Sequence, residues 1–460
     1  MRCDVEGQST PPLTQSVKDL VAFYKAIELG FVVRANSDYE TLVVANGNSN
    51  EPIHRWFRLK EAYSRRLLPR LIKDLGIESK RDLRILDPFA GSGTTAISAA
   101  DLVMDKTLAK PTVVSFECNP FLQLVSSSKL RALQQPTTSF LTLAKRVGAT
   151  AGRRRIEPAA VPSLATFENR EFFDSDGLTK LLRLRAAIDE AAHLGESQLD
   201  IDLARVCLGA SIEPASSLRR DGRALRHVPD KVRADPITEF LRRAEQVDED
   251  MPRRPIGIRG SIHLGDGRSL RPNPPRAGSV DLVVFSPPYP NNIDYTEVYK
   301  MEAWLLGFIT TSREFTDQRL RTLYSHPSVL RPTAELDSAV GVASDFASMM
   351  APVLAAIPPD RYHSARHRML NGYFADMLVT LRSSFAALSG GGDLVYVVGN
   401  SVHGSGDESV VIAADLLIAR LAEVVGFEVR SIEVARQLRR RQIESPFLRE
   451  SVVFLRRPSP

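Results

Sequence analysis

A hydroxyl, a backbone carbonyl and an aromatic ring follow one apolar stretch of the chain within four residues. Residues 282–285 have the length of a fully buried strand, and Ser286, Pro287, Pro288 and Tyr289 come directly after them. Two successive prolines cannot donate to a sheet and they fix their φ angles, so the strand must end there in a stiff loop. Such a loop suits a flat guest that carries an amine, because the ring can stack on it while the hydroxyl and the Pro287 carbonyl accept its N–H groups. The alternative is a Pro-Pro turn that only leaves a strand.

A second stretch, RILDPFAGSGTTAISA at 84–99, reads as a short strand, an acidic residue, a glycine-rich turn and a helix. Gly91 and Gly93 permit backbone conformations and close approaches that a Cβ would forbid. Thr94 and Thr95 stand where the helix begins and where free N–H groups point outward. The stretch is not a P-loop, because no Gly-Lys-Ser/Thr follows, and it is not the G-x-G-x-x-G fingerprint. Neither of these nucleotide-binding motifs accounts for the turn.

Taken together, DPFAGSGTT at 87–95 and SPPY at 286–289 resemble the motif pair of S-adenosylmethionine-dependent methyltransferases that act on the exocyclic amino groups of DNA bases. The resemblance implies S-adenosylmethionine as the cofactor and double-stranded DNA as the substrate. In the subgroup that combines these two motifs the SPPY half usually comes first, whereas here the glycine turn comes first. Such a permutation preserves the site if the strand order in the sheet is kept, but it leaves open which insertion reads the DNA sequence.

The cofactor-binding residues that the resemblance implies fall into three groups. The first is the turn itself, with Asp87, Phe89, Gly91, Ser92, Gly93, Thr94 and Thr95. In the second, Glu117 ends the next predicted strand, where a carboxylate can hold the ribose hydroxyls, and Cys118 and Asn119 follow it. The third is Asp266 and Gly267, at the position that holds the adenine amino group. The alternatives are a solvated strand-end acid for Glu117 and an ordinary turn aspartate for Asp266.

The implied reaction is methyl transfer from a sulfonium to an aromatic amine, which is a poor nucleophile because its lone pair is delocalised. Hydrogen bonds from its N–H groups to Ser286 Oγ and the Pro287 carbonyl favour a tetrahedral nitrogen, and the Pro-Pro turn preorganises them. We expect Tyr289 to stack on the base, which must be flipped out of the duplex. No covalent intermediate is needed, so no nucleophilic cysteine is expected. A serine before Pro-Pro-Tyr resembles the enzymes that methylate cytosine at N4, which favours cytosine over adenine N6.

Two rival interpretations are open. An RNA methyltransferase could use the same loops on a base amine of structured RNA, but such enzymes usually carry a separate RNA-binding module, and no clear one is seen. A catalytically silent DNA-binding subunit could use the same scaffold. The intact set of Asp87, Gly91, Gly93, Glu117, Asp266 and Ser-Pro-Pro-Tyr opposes that interpretation.

The composition is that of an ordinary soluble globular protein. With 60 Lys and Arg against 55 Asp and Glu the net charge is +5 and the pI is near 9.1, which permits a polyanionic partner without demanding one. Cys3, Cys118 and Cys207 are odd in number and widely spaced, so neither a disulfide framework nor a metal site is predicted. No apolar run could span a bilayer, and the N-terminus has no apolar signal segment. We therefore expect a cytoplasmic protein without membrane association.

Strands and helices alternate through the chain, which predicts an α/β fold with a doubly wound, mostly parallel sheet. The resemblance implies a seven-stranded, Rossmann-like methyltransferase sheet. We divide the chain into an N-terminal extension at 1–50, a catalytic core at 51–125 and 259–460, and a largely helical insertion at 126–258. Within the core, residues 309–368 are predicted to be irregular.

Smaller features complete the expected core. A helix over 371–388 is predicted to stop at the three glycines 390–392, and another is predicted over 410–425 after a polar loop. Before the glycine turn, Trp56, Phe57 and Lys60 are interpreted as core and surface residues rather than ligands.

The insertion and residues 309–368 are the two candidates for DNA contacts. The insertion contains the basic group Arg219, Arg220, Arg223 and Arg226, our best prediction for phosphate contacts, which position a protein without reading sequence. The alternative is a solvated basic face. A cognate restriction or defence nuclease is a compatible partner, and the oligomeric state is not predicted.

Overall fold

The computed structural model describes residues 14–153, 156–161, 172–221, 224–329, 344–404, 409–439 and 443–459. Its strands are β1 Val33–Ala35, β2 Arg84–Asp87, β3 Thr112–Glu117, β4 Leu218–Arg220, β5 Leu225–His227, β6 Arg259–Leu264, β7 Val280–Phe285, β8 Leu388–Gly399, β9 Ser401–His403, β10 Val410–Ile412, β11 Glu428–Gln437 and β12 Arg449–Arg456. Its α-helices are α1 Gln15–Glu28, α2 Leu67–Asp74, α3 Thr94–Met104, α4 Pro120–Gln134, α5 Phe140–Gly152, α6 Ser175–His193, α7 Gln198–Ile212, α8 Pro236–Asp250, α9 Tyr295–Val298, α10 Lys300–Leu305, α11 Ser312–Arg321, α12 Ser344–Ala355, α13 His363–Ala387 and α14 Ala414–Val425.

The predicted doubly wound, mostly parallel sheet is confirmed. Eight strands pair in the order β1-β11-β12-β8-β7-β2-β3-β6. Only β12 runs antiparallel to its two neighbours, and with β11 it forms the hairpin implied near the end of the chain. The expectation of seven strands is wrong by one, because β1 from the N-terminal extension pairs with the free edge of β11, as in Val33 opposite Ile432.

The winding of the sheet reverses at β2. From β2 the chain moves outward to β3 and then to β6, and it returns to place β7 on the other side of β2 before continuing to β8. Ile85 and Leu86 of β2 lie opposite Leu282 and Val283 of β7. A reversal of this kind opens a crevice at the carboxyl ends of the two central strands, where ligands of open α/β sheets bind.

The two motif stretches fold as their residue types dictate. In β7 the side chains of residues 282–285 are buried, and the strand ends where Pro287 and Pro288 can no longer donate to a ladder. The helix α3 begins at Thr94, directly after Gly93, whose φ of 88° is costly for any residue with a Cβ. Both motifs therefore lie at the carboxyl ends of adjacent buried strands.

Three local expectations are wrong. Residues 410–412 form the strand β10 opposite β9, because three β-branched apolar residues suit a strand, and the helix begins only at Ala414. The glycines 390–392 lie inside β8 beside a shift in its pairing with β7, since glycine tolerates such an irregularity. Much of 309–368 is helical, as α11, α12 and the start of α13.

Within its described residues, the insertion packs the helices α5 to α8 against one another and carries the small β4–β5 hairpin. It joins the core through α4, which contacts both α7 and β6. The proposed domain boundaries stay predictions. In the described part of the chain, no helix is both long enough and apolar enough to cross a membrane.

Candidate active site

The carboxyl ends of β6, β3, β2 and β7 open into one cavity of about 350 Å³. The predicted site residues that line it are Asp87, Phe89, Gly91, Thr94, Glu117, Cys118, Asn119, Asp266, Gly267, Ser286, Pro287, Pro288 and Tyr289. The predicted residues Ser92, Gly93 and Thr95 do not line it. One cavity thus brings together two motifs that are far apart in the chain.

The glycine turn needs its glycines. Gly91 and Gly93 have φ angles of 52° and 88°, in the left-handed region that favours glycine. A Cβ on Gly93 would lie 3.0 Å from Ser126 Cβ, and one on Gly91 would lie 2.7 Å from the Leu59 side chain. The turn therefore lies between helix α4 and the segment around Leu59, in close contact with both.

Hydrogen bonds support the turn from inside. The Thr95 hydroxyl donates to Asp87 Oδ2, and the Phe89 amide donates to Asp87 Oδ1 at 2.9 Å. Burial raises the pKa of Asp87 to about 7, although these two hydrogen bonds oppose the rise. The buried Lys129 ammonium donates to the Ser92 carbonyl at 3.1 Å. Ser92 and Thr95 thus hold the turn in shape.

Glu117 ends β3 beside the turn. Its Oε2 accepts the Gly91 amide at 2.9 Å, and its Oε1 accepts the Asn119 amide at 2.8 Å. Each carboxylate oxygen keeps lone-pair capacity for another donor, such as a ribose hydroxyl. Burial raises the pKa of Glu117 and that of the neighbouring Cys118 thiol, so Cys118 stays protonated and is not a nucleophile.

Asp266 and Gly267, the third group of predicted cofactor-binding residues, lie very close to the glycine turn. A Cβ on Gly267 would lie 1.8 Å from the Pro88 carbonyl oxygen, so only glycine fits between the two loops. Asp266 Oδ1 accepts from Arg268 Nε at 2.9 Å, and the Arg268 guanidinium also donates to Asp376 at 2.8 Å. Arg268 lines the cavity and was missed in the sequence, where no spacing distinguishes it from a surface arginine.

A chain of hydrogen bonds fixes the Ser-Pro-Pro-Tyr loop. Ser286 Oγ donates to the Tyr289 hydroxyl at 3.3 Å, and that hydroxyl donates to Glu450 Oε1 at 2.9 Å. Arg436 Nε holds Glu450 Oε2 at 2.6 Å. Because the Ser286 hydroxyl donates its proton to Tyr289, the lone pairs of Ser286 Oγ remain free to accept a hydrogen bond from a ligand. The Tyr289 ring packs on Gly399, where a Cβ would lie 2.8 Å from it.

Glu450 and Arg436 were not predicted as site residues, yet both line the cavity. They stand opposite each other across the β11–β12 hairpin. Charged residues facing each other in a hairpin are common, so only the position of the hairpin beside β8 reveals their role. No signal within the sequence could have found them.

The segment 59–63 covers the cavity before the glycine turn. Trp56 and Phe57 are buried core residues, as interpreted from the sequence. Lys60, interpreted as a surface residue, lines the cavity instead, and so does Glu61.

The predicted phosphate-binding arginines separate into different environments. Arg219 and Arg226 are exposed on the β4–β5 hairpin. Arg220 is buried, its guanidinium bonded to Glu302 and, at 2.8 Å, to Glu213, so its predicted phosphate contact is wrong. Arg223 lies outside the described residues.

Across the described ranges, no group of three or more His, Cys, Asp and Glu side chains could hold a metal ion. The acidic residues of the cavity are instead each paired with hydrogen-bond donors from the protein.

Comparisons with known proteins add to this geometry. No protein-family model matches the chain. The type II methyltransferase M.AvaI of Nostoc sp. is 24% identical to it over 463 residues, which cover 91% of this chain and 88% of the relative. The type II methyltransferase M.BsoBI of Geobacillus stearothermophilus is 24% identical over 445 residues, which cover 86% and 82%.

Among solved structures, the rRNA methyltransferase AviRa of Streptomyces viridochromogenes is 9% identical and covers 84% of both chains, with a TM-score of 0.22. The sequence relatives support the resemblance to DNA methyltransferases, and together with the sheet they imply S-adenosylmethionine as the cofactor. The choice between cytosine N4 and adenine N6 stays a prediction.

Proposed function

We propose that this protein is a site-specific DNA methyltransferase that moves a methyl group from S-adenosylmethionine to the exocyclic amine of a flipped base. The observation that carries the proposal is the single cavity lined by both the glycine turn and the Ser-Pro-Pro-Tyr loop. A methyl donor and an amine must meet at bonding distance, and only a shared cavity allows that. The similarity to type II methyltransferases over nine-tenths of the chain supports the same activity.

The residues of the cofactor side fit the group that the relatives imply. When bound, S-adenosylmethionine supplies an electrophilic methyl group on a sulfonium. Glu117 would hold the ribose hydroxyls, and Asp266 with Gly267 would hold the adenine. The glycine turn would lie against the methionine end, beside the buried Asp87 carboxyl. The glycine at 267 lets this loop approach the Pro88 carbonyl of the glycine turn, so that both loops line the same cavity.

On the other side, Ser286 Oγ and the Pro287 carbonyl would accept the two N–H groups of the base amine. The Tyr289 ring would stack on the base, held in place by its hydrogen bond to Glu450. Preorganised acceptors cost no reorganisation during the reaction, which is why the stiff Pro-Pro turn matters.

Cytosine N4 is the proposed target, and adenine N6 is the second candidate. The support for cytosine is the serine at 286, which resembles the cytosine N4 enzymes. The aspartate more usual for adenine N6 is absent from that position.

Contacts to the DNA backbone would come from the insertion and from the region around 309–368. Arg219 and Arg226 are exposed on the β4–β5 hairpin, and Arg321 lines the cavity from α11. Cations at such positions neutralise phosphates and hold a duplex while a base is turned inward. A cognate restriction or defence nuclease is a compatible partner of such an enzyme.

The test is expression of the gene in a host that lacks DNA methylation, followed by genome-wide mapping of modified bases. We expect N4-methylcytosine at one short recognition sequence. N6-methyladenine at one sequence would change the target base and keep the enzyme class. Unmodified DNA together with methylated RNA would favour the RNA methyltransferase, and binding of DNA without any methylation would favour the silent subunit.

A further inference from the structure

One carboxyl group of the cavity is bonded differently from the others. In the described structure the acidic side chains that line the cavity are Glu61, Asp87, Glu117, Asp266 and Glu450. In the last four, both carboxyl oxygens accept hydrogen bonds from protein groups. Glu61 Oε2 accepts the Tyr299 hydroxyl at 2.6 Å, whereas Oε1 is buried and has no partner in the described residues. Glu61 Oε1 therefore has capacity for a ligand.

The contacts of Glu61 place it on the amine-binding side. Its donor Tyr299 and the nearby Tyr295 both follow the Ser-Pro-Pro-Tyr loop, in and beside α9. The Tyr295 hydroxyl accepts the Tyr289 amide at 3.4 Å, and Tyr295 lines the cavity together with Glu61. Glu61 thus lines the same cavity as the loop that would present the amine, and its hydrogen-bond donor Tyr299 follows that loop in the chain.

Tyr63, two residues later, makes its contacts on the other side of the cavity. Its hydroxyl bonds with Thr95, which in turn donates to Asp87 under the glycine turn. Within the segment 59–63, Tyr63 therefore bonds to residues on the cofactor side of the cavity, and Glu61 bonds to a residue on the amine side. A cofactor ammonium is accordingly the less favoured partner for Glu61 Oε1.

An amine that gains a methyl group must lose a proton, and Ser286 is a weak base. We propose that Glu61 is a catalytic residue: as the methyl group is transferred, its Oε1 replaces Ser286 Oγ as the acceptor of one amine N–H and takes the proton that this N–H releases. The inference rests on the proposed function. The amine nitrogen bonds to the methyl carbon, the carbon–sulfur bond breaks with its electron pair moving to sulfur, and one N–H proton passes to Oε1. Glu61 then returns the proton to solvent.

The charges around Glu61 suit this role. Burial raises its pKa, which strengthens it as a base, while the Tyr299 hydrogen bond and the positive charges of Arg220 and Lys60 keep the ionised form accessible. The Tyr295 phenol of α9 lines the same cavity. A carboxyl with a raised pKa that can still ionise is able to take a proton and release it again.

Glu61→Gln tests the assignment, since it keeps the shape and removes the proton acceptor. With tritiated S-adenosylmethionine and unmethylated genomic DNA, both saturating, kcat should fall by about 100-fold. The dissociation constants of cofactor and DNA, from calorimetry and filter binding, should change by less than about threefold. The wild-type kcat should rise with pH to a plateau, and Glu61→Gln should lack that rise.

Tyr299→Phe is the second variant, in case Glu61→Gln does not fold. Loss of the hydroxyl donor should raise the pKa of Glu61 further and move the rise in kcat to higher pH. Glu433→Gln, a buried strand position outside the cavity, is the matched control and should leave the profile unchanged.

Three results would overturn the assignment. Weakened cofactor binding with normal kcat would make Glu61 a ligand of the cofactor ammonium, and an unchanged kcat with unchanged binding would make its carboxyl only a buried group. An unshifted profile in Tyr299→Phe would also contradict it. All three require an active wild-type protein, whereas a wild-type protein that transfers no methyl would overturn the proposed function itself.

Discussion

The two walls of the cavity are assembled from the chain in different ways. The proposed cofactor-binding wall is largely local, because Asp87, the glycine turn and Glu117 belong to β2, β3 and the segment between them. The proposed amine-binding wall is dispersed. It joins the Ser-Pro-Pro-Tyr loop to Glu450 and Arg436 from the hairpin near the end of the chain, and to Glu61 from before the glycine turn. A local wall can be recognised as a motif, whereas a dispersed wall needs the folded sheet.

The walls also differ in how they hold their functional groups. On the cofactor side, Glu117 is fixed by main-chain amides and the glycines by space that no side chain can enter. On the amine side, Ser286, Tyr289 and Glu450 form a chain of side-chain hydrogen bonds. Substitutions in the cofactor-binding wall should therefore act by changing its shape. Substitutions in the amine-binding wall should act by removing hydrogen-bonding groups.

The largest expected effect is on the cofactor wall. Gly267→Ala would place a Cβ 1.8 Å from the Pro88 carbonyl oxygen, so the two loops must separate and cofactor binding should be lost. Gly152→Ala is the control, because its Cβ would meet nothing nearer than 3.7 Å. Calorimetry with S-adenosylmethionine checks both variants. Normal binding by Gly267→Ala would show that this wall is not fixed by shape.

Ser286→Ala should impair catalysis at the amine-binding wall and leave cofactor binding unchanged. Loss of one preorganised acceptor should lower kcat by about 10²–10³-fold. Cofactor binding should stay near the wild-type value, because Ser286 bonds only to Tyr289 among the described protein groups. Initial rates and calorimetry on the same preparation separate the two effects. Equal loss of cofactor affinity in Ser286→Ala and Gly267→Ala would contradict the division into two walls.

Neighbouring arginines of the insertion should behave in opposite ways. Arg220→Ala leaves Glu302 buried without its partner and should lower the free energy of unfolding by about 3–5 kcal/mol. Arg219→Ala should leave stability unchanged and reduce the slope of log affinity for DNA against log salt by about one. Urea unfolding and salt-dependent binding measure these changes. Similar behaviour of the two variants would refute the assigned environments.

The smallest expected effect is a pH dependence of stability in the cofactor wall. The pKa of Asp87 is about 7 in the folded state, above the ordinary 3.8. The folded state therefore binds the proton more tightly, and this stabilisation is full below the ordinary pKa and is lost as the pH rises through about 7. Urea unfolding of the cofactor-free protein between pH 5 and 8 should show the loss, and Asp87→Asn should make the slope of stability against pH clearly smaller. A wild-type slope that persists in Asp87→Asn would assign the effect elsewhere.

What could be predicted from the sequence follows from the same contrast. The strand-turn-helix at 84–99 and the Pro-Pro stop after β7 are set by neighbouring residues, so both were placed correctly. The adjacency of β2 and β7 depends on pairing between distant segments, and the sequence supplied it only through the family resemblance. Glu450 and Arg436 depend on the register of a late hairpin, which no local pattern encodes.

Arg220 shows an error that local reasoning could have avoided. Grouping four arginines by charge ignored the alternation of side chains along a strand, which places Arg219 outside and Arg220 inside. The misplaced helix over 410–425 has a different cause. Its apolar residues fit helical spacing as well as a strand, and only the pairing of β10 with β9 decides between them.

In the proposed enzyme, one cavity brings a methyl donor and a base amine together. The most direct measurement is mass spectrometry of the nucleosides from unmethylated DNA incubated with the protein and trideuteromethyl-labelled S-adenosylmethionine. We expect the label in N4-methylcytosine, and an initial rate of labelling that is about 10²–10³-fold lower after Ser286→Ala. Label in 5-methylcytosine, or no label in any base amine, would contradict this proposal.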